Sequence, residues 1–171
     1  GGILTKHLME IFLSPDLSDR EKQAGRDMVR MFFVFRNMMR SMESCCRKHD
    51  LGLSQYSLLH HVASDADTNP SGFAQLMQLS RPAVTKIIAG LEEQGLLIRG
   101  LAQADRREVR LELTPAGHAK LDEINPDLLS LHRNLLKKMA ESDLEGFETT
   151  LKMMETYFRE YQKEGENKTS C

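Results

Sequence analysis

The stretch LSRPAVTKIIAGLEEQGLLIR, residues 79–99, decides the fold. Ser80 is a helix-capping residue, Pro82 falls in the first turn, where a missing N–H costs nothing, and Gly95 is a stop. The helix predicted between them carries Val84, Ile87, Ile88 and Leu91 on one face. At about 100° per residue, Pro82, Thr85, Lys86 and Ala89 project from the opposite face, with Arg81 at its N-terminal edge. Downstream, LLIRGL (96–101) and EVRLEL (108–113) read as strands, and the short AQADR between them suits a hairpin loop.

Working outward, FAQLMQ predicts a short helix starting near Ser71. Before it, LGLSQYSLLHHVASD predicts a helix of about three turns, capped by Ser54, with Tyr56, Leu59, Val62 and Ala63 on one face. Three helices and a hairpin, with a tight turn at Leu79-Ser80 between the second and third, describe a winged helix-turn-helix. On the third helix Arg81 and Lys86 suit guanine edges or phosphates, Thr85 suits bases or phosphate, and Pro82 and Ala89 suit thymine methyls. Ser71, at the head of the preceding helix, joins this candidate DNA-binding set. Glu92 and Glu93 follow two turns later and would repel phosphate, which confines contact to the first half of the helix.

The flanks are helical. Met28, Met31, Phe32, Phe35, Met38, Met39, Met42, Cys45 and Cys46 recur at three-and-four spacing, predicting a long amphipathic helix from about Arg20 to His49. Beyond Pro115, Leu121, Ile124, Leu128, Leu131, Leu135 and Met139 form a second stripe, which Pro126 is expected to kink. Leu144, Phe147, Leu151, Met154, Phe158 and Tyr161 form a third, with Ser142 and Glu145 as its expected capping box. Apolar faces of this length need a partner surface. The expected organisation is therefore mainly α with a small β-hairpin wing. An N-terminal arm and dimerisation helix (1–50) and C-terminal dimerisation helices (114–165) flank the DNA-binding domain (51–113), and a disordered tail (166–171) follows.

Composition excludes more than it selects. The net charge is -2 over 171 residues, and the mild basicity of the middle of the chain is too small to argue nucleic-acid binding without placement. Neither a membrane span nor a secretory leader is read, so the expectation is a cytoplasmic protein. No phosphate-cradling glycine loop, paired carboxylates or nucleophile elbow is found, so no enzyme, cofactor or metal is expected. His60 and His61 diverge on their helix, His60 flanking the core face and His61 exposed. His118 and Asp122 share a face but are only two of the ligands that zinc needs. Cys45 and Cys46, beside Arg47, Lys48 and His49, admit a redox-sensing reading and a packing reading in which one is buried and the other lies inert on the surface.

Residues 79–99 followed by DRREVRLELTPAG (105–117) resemble the MarR family of bacterial transcription regulators. Its wing pattern of D-x-R, a strand ending in L-T, and then G is filled by Asp105, Arg107, Leu113, Thr114 and Gly117. The resemblance implies a homodimer on double-stranded DNA, most often a repressor on a pseudopalindromic operator, with Arg107 in the minor groove and Asp105 orienting it. Arg106 then meets phosphate. It further implies a response to a small aromatic or phenolic effector in a pocket lined by residues such as Met38, Met42, Tyr56 and His60. Alternatives from other classes are a winged-helix module that dimerises and binds protein without DNA, and a thiol- or metal-responsive variant. For Arg99 and Arg110 on the strands, a cross-strand pair with an acid is the expected role.

Overall fold

The computed structural model describes Glu10 and residues 14–64, 68–101 and 109–169. The chain divides into two compact units at Leu128/Leu129. In the first, α1 (Asp19–Arg47), α2 (Leu53–Ser64), α3 (Pro70–Met77) and α4 (Arg81–Glu93) precede a hairpin of β1 (Leu97–Leu101) and β2 (Val109–Leu113). α5 (Pro115–Leu136) runs across the division, and α6 (Glu141–Thr169) lies in the second unit. Among the described residues, this is the mainly helical winged-helix architecture expected from the sequence, and no helix is long and apolar enough to cross a membrane.

Helix ends follow from local chemistry. Ser18 and Glu21 form a reciprocal capping box at the head of α1, and Asn69 and Ser80 accept from Gly72 and Ala83 N–H at the heads of α3 and α4. Three helices close in the same way, with a left-handed residue, Asp50, Gln78 or Gly95, followed by a leucine. The N–H groups of Leu51, Leu79 and Leu96 reach back to the carbonyls of Cys46, Ala74 and Leu91. Each turn thereby delivers a leucine inward: Leu51 and Leu96 are buried, and Leu79 packs against the core. Each fully buried leucine is worth about 1.5–3 kcal/mol, which offsets the roughly 1–2 kcal/mol of left-handed backbone at Asp50 and Gln78.

That core joins Leu58, Leu59 and Val62 of α2, Phe73 of α3, Val84, Ile88 and Leu91 of α4, Leu97 and Leu111 of the hairpin, and Leu121 and Ile124 of α5. The hairpin is antiparallel, with Arg99 opposite Leu111 and Gly100 opposite Arg110. On its far edge, the Leu111 N–H donates to the carbonyl of buried Thr68 at 3.1 Å.

The return from wing to helix is stitched by Thr114. Its hydroxyl donates to the Gly95 carbonyl at 2.7 Å and accepts from the Gly117 N–H at 3.0 Å, while its N–H donates to Leu96 O. Gly117 passes so close to this turn that a Cβ would stand 2.1 Å from Leu96 O. The Thr and Gly of the wing pattern are thus explained by close backbone approach and capping.

Several expectations are corrected. α2 starts at Leu53, one residue before Ser54, and its first N–H donates to Glu43 Oε2 of α1 at 2.7 Å, so a remote carboxylate replaces the expected serine cap. At α6, Asp143 accepts from Ala140 N–H, and Ser142 lies inside the helix. α6 runs to Thr169, past the expected boundary at 165. Met139 lies beyond the end of α5, which continues as helix through Pro126. His61, expected to be exposed, is half-buried with its ring 5.8 Å from that of Phe73, whereas His60, expected beside the core face, is the exposed one.

Candidate nucleic-acid interface

α4 buries one face and shows another. Val84 is 1% exposed, Ile88 1% and Leu91 0%, with Ile87 packed at the margin of the core. Arg81, Pro82, Thr85, Lys86 and Ala89 are all exposed. The N-terminus of this helix, with its outward N–H groups and positive dipole end, lies at the same edge as Arg81, which suits the whole edge to an anion. Thr85 donates its hydroxyl to Arg81 O at 3.0 Å, leaving the oxygen lone pairs and methyl facing out. Ser71 is exposed in the first turn of α3.

Charge on α4 is graded along its length. Glu92, near its end, pairs with Arg99 Nε of β1 at 3.0 Å. This corrects the expected cross-strand pairing: Arg99 stands opposite Leu111, and its acid comes from the helix. The pair neutralises part of the acidic end and leaves Arg81 and Lys86 as cations of the first half. Sequence reasoning missed it because seven residues of spacing across a turn carry no periodic signal. Asp105, Arg106 and Arg107 lie outside the described residues.

A second feature sits beside this face. A cleft of about 520 Å³ is lined by Glu43 and Arg47 of α1, Gly52–Gln55 at the start of α2, Leu79, and Ala83, Lys86, Ile87 and Gly90 of α4. The four residues expected to line a pocket are elsewhere. Met38 and His60 are exposed, Met42 packs against the core, and Tyr56 donates its hydroxyl to Asn125 Oδ1 at 2.9 Å. No pattern in the sequence marks the cleft, because its walls come from three helices and a turn.

Cys45 and Cys46 are both buried, correcting the packing reading that left one of them on the surface. Burial pushes both thiols up, Cys46 to about 11, and the neighbouring Lys48 and Arg47 offset this only in part. Neither is therefore thiolate-like, as a peroxide sensor requires. Nearby, His49 Nε2 lies 3.1 Å from Asp127 Oδ2, holding the turn after α1 to α5. His118 and Asp122 are exposed, and among the described residues no group of three or more His, Cys, Asp or Glu is arranged to hold a metal ion.

A helix-turn-helix with a capped, cation-bearing second helix and a hairpin after it defines the winged-helix class. Residues 49–108 match the MarR family model. The chain is also 26% identical over 88 residues to a putative transcriptional regulatory protein for the hcr operon of Thauera aromatica; that match spans 52% of this chain and about half, 53%, of that protein. AbsC, a MarR family transcriptional regulator from Streptomyces coelicolor, superposes with a TM-score of 0.71 at 21% identity, over 85% of this chain and 99% of that one. MepR of S. aureus, solved as a DNA complex, does so with a TM-score of 0.68 at 16% identity, over 77% and 95%. The MarR family match thus covers the helix-turn-helix and the first strand of the hairpin, and the fold around it is one that MarR family proteins share.

Proposed function

We propose that this protein is a transcription regulator that binds double-stranded DNA as a cytoplasmic homodimer, acting as a repressor on a pseudopalindromic operator. The observation that carries the reading is the exposed side of α4, where Arg81, Pro82, Thr85, Lys86 and Ala89 follow a serine-capped helix start. Arg81 and Lys86 contact phosphate or guanine, Thr85 accepts from a base or meets a thymine methyl, Pro82 and Ala89 pack on methyls, and Ser71 contacts the backbone. Arg107, oriented by Asp105, and Arg106 on phosphate add the wing contacts. The fold shared with MepR, a protein solved on DNA, supports the same docking.

The dimer is supported by the apolar residues exposed on a single chain: Met28, Met31, Phe32, Phe35, Met38 and Met39 on α1, and Phe147, Leu151, Phe158 and Tyr161 on α6. Residues 1–50 and 114–165 serve as the dimerisation segments around the DNA-binding domain 51–113. Two copies of α4 about 34 Å apart read two half-sites and multiply affinity. A small aromatic or phenolic effector is proposed for the pocket of Met38, Met42, Tyr56 and His60, of which the Tyr56 and His60 rings lie 5.9 Å apart; the cleft beside α4, with apolar Leu53, Leu79, Ala83 and Ile87 and with Arg47 and Lys86 at its walls, is a second place for it.

The test is a gel-shift assay on DNA upstream of the protein's own gene, titrated with salt. Specific binding with a steep fall of log K against log salt supports the reading. Binding that is absent, or equal on unrelated DNA, favours a winged-helix module whose partner is a protein.

A further inference from the structure

Three contacts in series connect α1 to α4. Glu43 of α1 accepts from the Leu53 N–H at 2.7 Å and from Arg47 Nε at 2.6 Å, so the first turn of α2 hangs on an α1 carboxylate. Two residues on, Gln55 Oε1 accepts from the Gly52 N–H at 2.9 Å. That bond fixes which way the amide points. Its other end, Nε2, faces α4 at Gly90, where a Cβ would lie 3.0 Å away, inside ordinary van der Waals contact.

Gly90 is one turn beyond Lys86 and adjoins Ala89, so its contact bears on the helix that carries the exposed set. A helix packed through side chains can rotate by exchanging rotamers. Here the approach is a bare Cα against an amide whose oxygen is already held.

We infer that Gln55 is a positioning residue for DNA reading, setting the seat of α4 through the Gly52–Gln55–Gly90 contact and tying it to α1 through Glu43. This rests on the reading that the exposed side of α4 meets DNA. Because α1 carries the apolar stripe proposed to join two copies, the chain of contacts links the spacing of the two α4 helices to the dimer seam.

The experiment uses the full-length protein and a pool of random-sequence duplexes, from which wild type enriches a reference duplex. Gly90→Ala raises intrinsic helix propensity, so its thermal midpoint is expected to hold or rise. Its affinity for the reference duplex is expected to fall at least about tenfold, and amide exchange at Gly52 to quicken as Gln55 is displaced. In a Gln55→Ala background the added methyl has room. There the same substitution is expected to change affinity less than about twofold, and this non-additivity is the signature of the contact.

A wild type that enriches no duplex removes the DNA reading and this inference with it. A wild type that enriches one, while Gly90→Ala binds it within twofold, overturns the positioning role alone. So does a loss of equal size in both backgrounds, or a loss with unchanged exchange at Gly52.

Discussion

Gly117 and Leu96 approach so closely that a Cβ on the former would stand 2.1 Å from the carbonyl oxygen of the latter. The atom it would meet is backbone, in a turn already held by the Leu96 N–H on Leu91 O and the Thr114 hydroxyl on Gly95 O, so neither side can yield cheaply. Gly117→Ala is expected to destabilise the fold by about 1–3 kcal/mol, the range for overpacking a well-filled site. Chemical denaturation measures it, and a midpoint equal to wild type would show that α5 can shift away without cost.

The cations near α4 should separate by their partners. Arg81→Ala and Lys86→Ala are each expected to weaken DNA binding and to reduce the slope of log K against log salt by about one if the lost contact is to phosphate. Arg99→Ala is expected to do less, because its guanidinium is engaged by Glu92. A larger loss at Arg99 than at Lys86 would relocate the interface toward the hairpin.

Placing charge within the α1 stripe should split the proposed dimer. Phe35 is 54% exposed in the single chain, so Phe35→Asp removes no monomer core. Sedimentation is expected to show a dimeric wild type and a monomeric variant that retains its helical circular dichroism. A variant that stays dimeric would move the seam away from Phe35.

The buried thiols should be inert near neutrality. In a Cys171→Ser background, Cys45 and Cys46 are expected to react with a thiol reagent at pH 7.5 far more slowly than in denaturant, and peroxide to leave DNA affinity unchanged. Cys46 also has a pH consequence. Its folded value, about 11, lies above the ordinary 9.0, so its contribution to stability is full below pH 9 and lost as pH climbs toward 11. Unfolding midpoints measured between pH 9 and 11 should fall more steeply for wild type than for Cys46→Ala. Equal slopes would refute the raised value.

The sequence carried what is periodic. The buried face of α4, its serine cap, the stop at Gly95 and the two strands all follow from spacing and turn chemistry within a short window, and the structure has them. It did not carry what is assembled across the chain. Ser54 and Ser142 are plausible caps locally, yet Glu43 and Asp143 supply the acceptors, one of them from another helix. His60 and His61 exchanged roles because Phe73 of α3 covers the second. Arg99 found Glu92 across a turn. Of the candidate site, the α4 residues were legible as an exposed face, whereas the cleft and the Gln55–Gly90 approach exist only once three helices meet.

The contact between Thr68 and Leu111 bears on colloidal behaviour. A two-stranded hairpin ordinarily leaves a row of unpaired donors and acceptors along each side, an invitation for strand addition by neighbouring molecules. With the Thr68 carbonyl on the Leu111 N–H, the outer side of β2 is already occupied at its centre, so a second chain cannot lengthen the sheet there without first displacing a buried residue. The same bond that seats the hairpin on the domain thus closes the outer side of β2 to strand addition at that position.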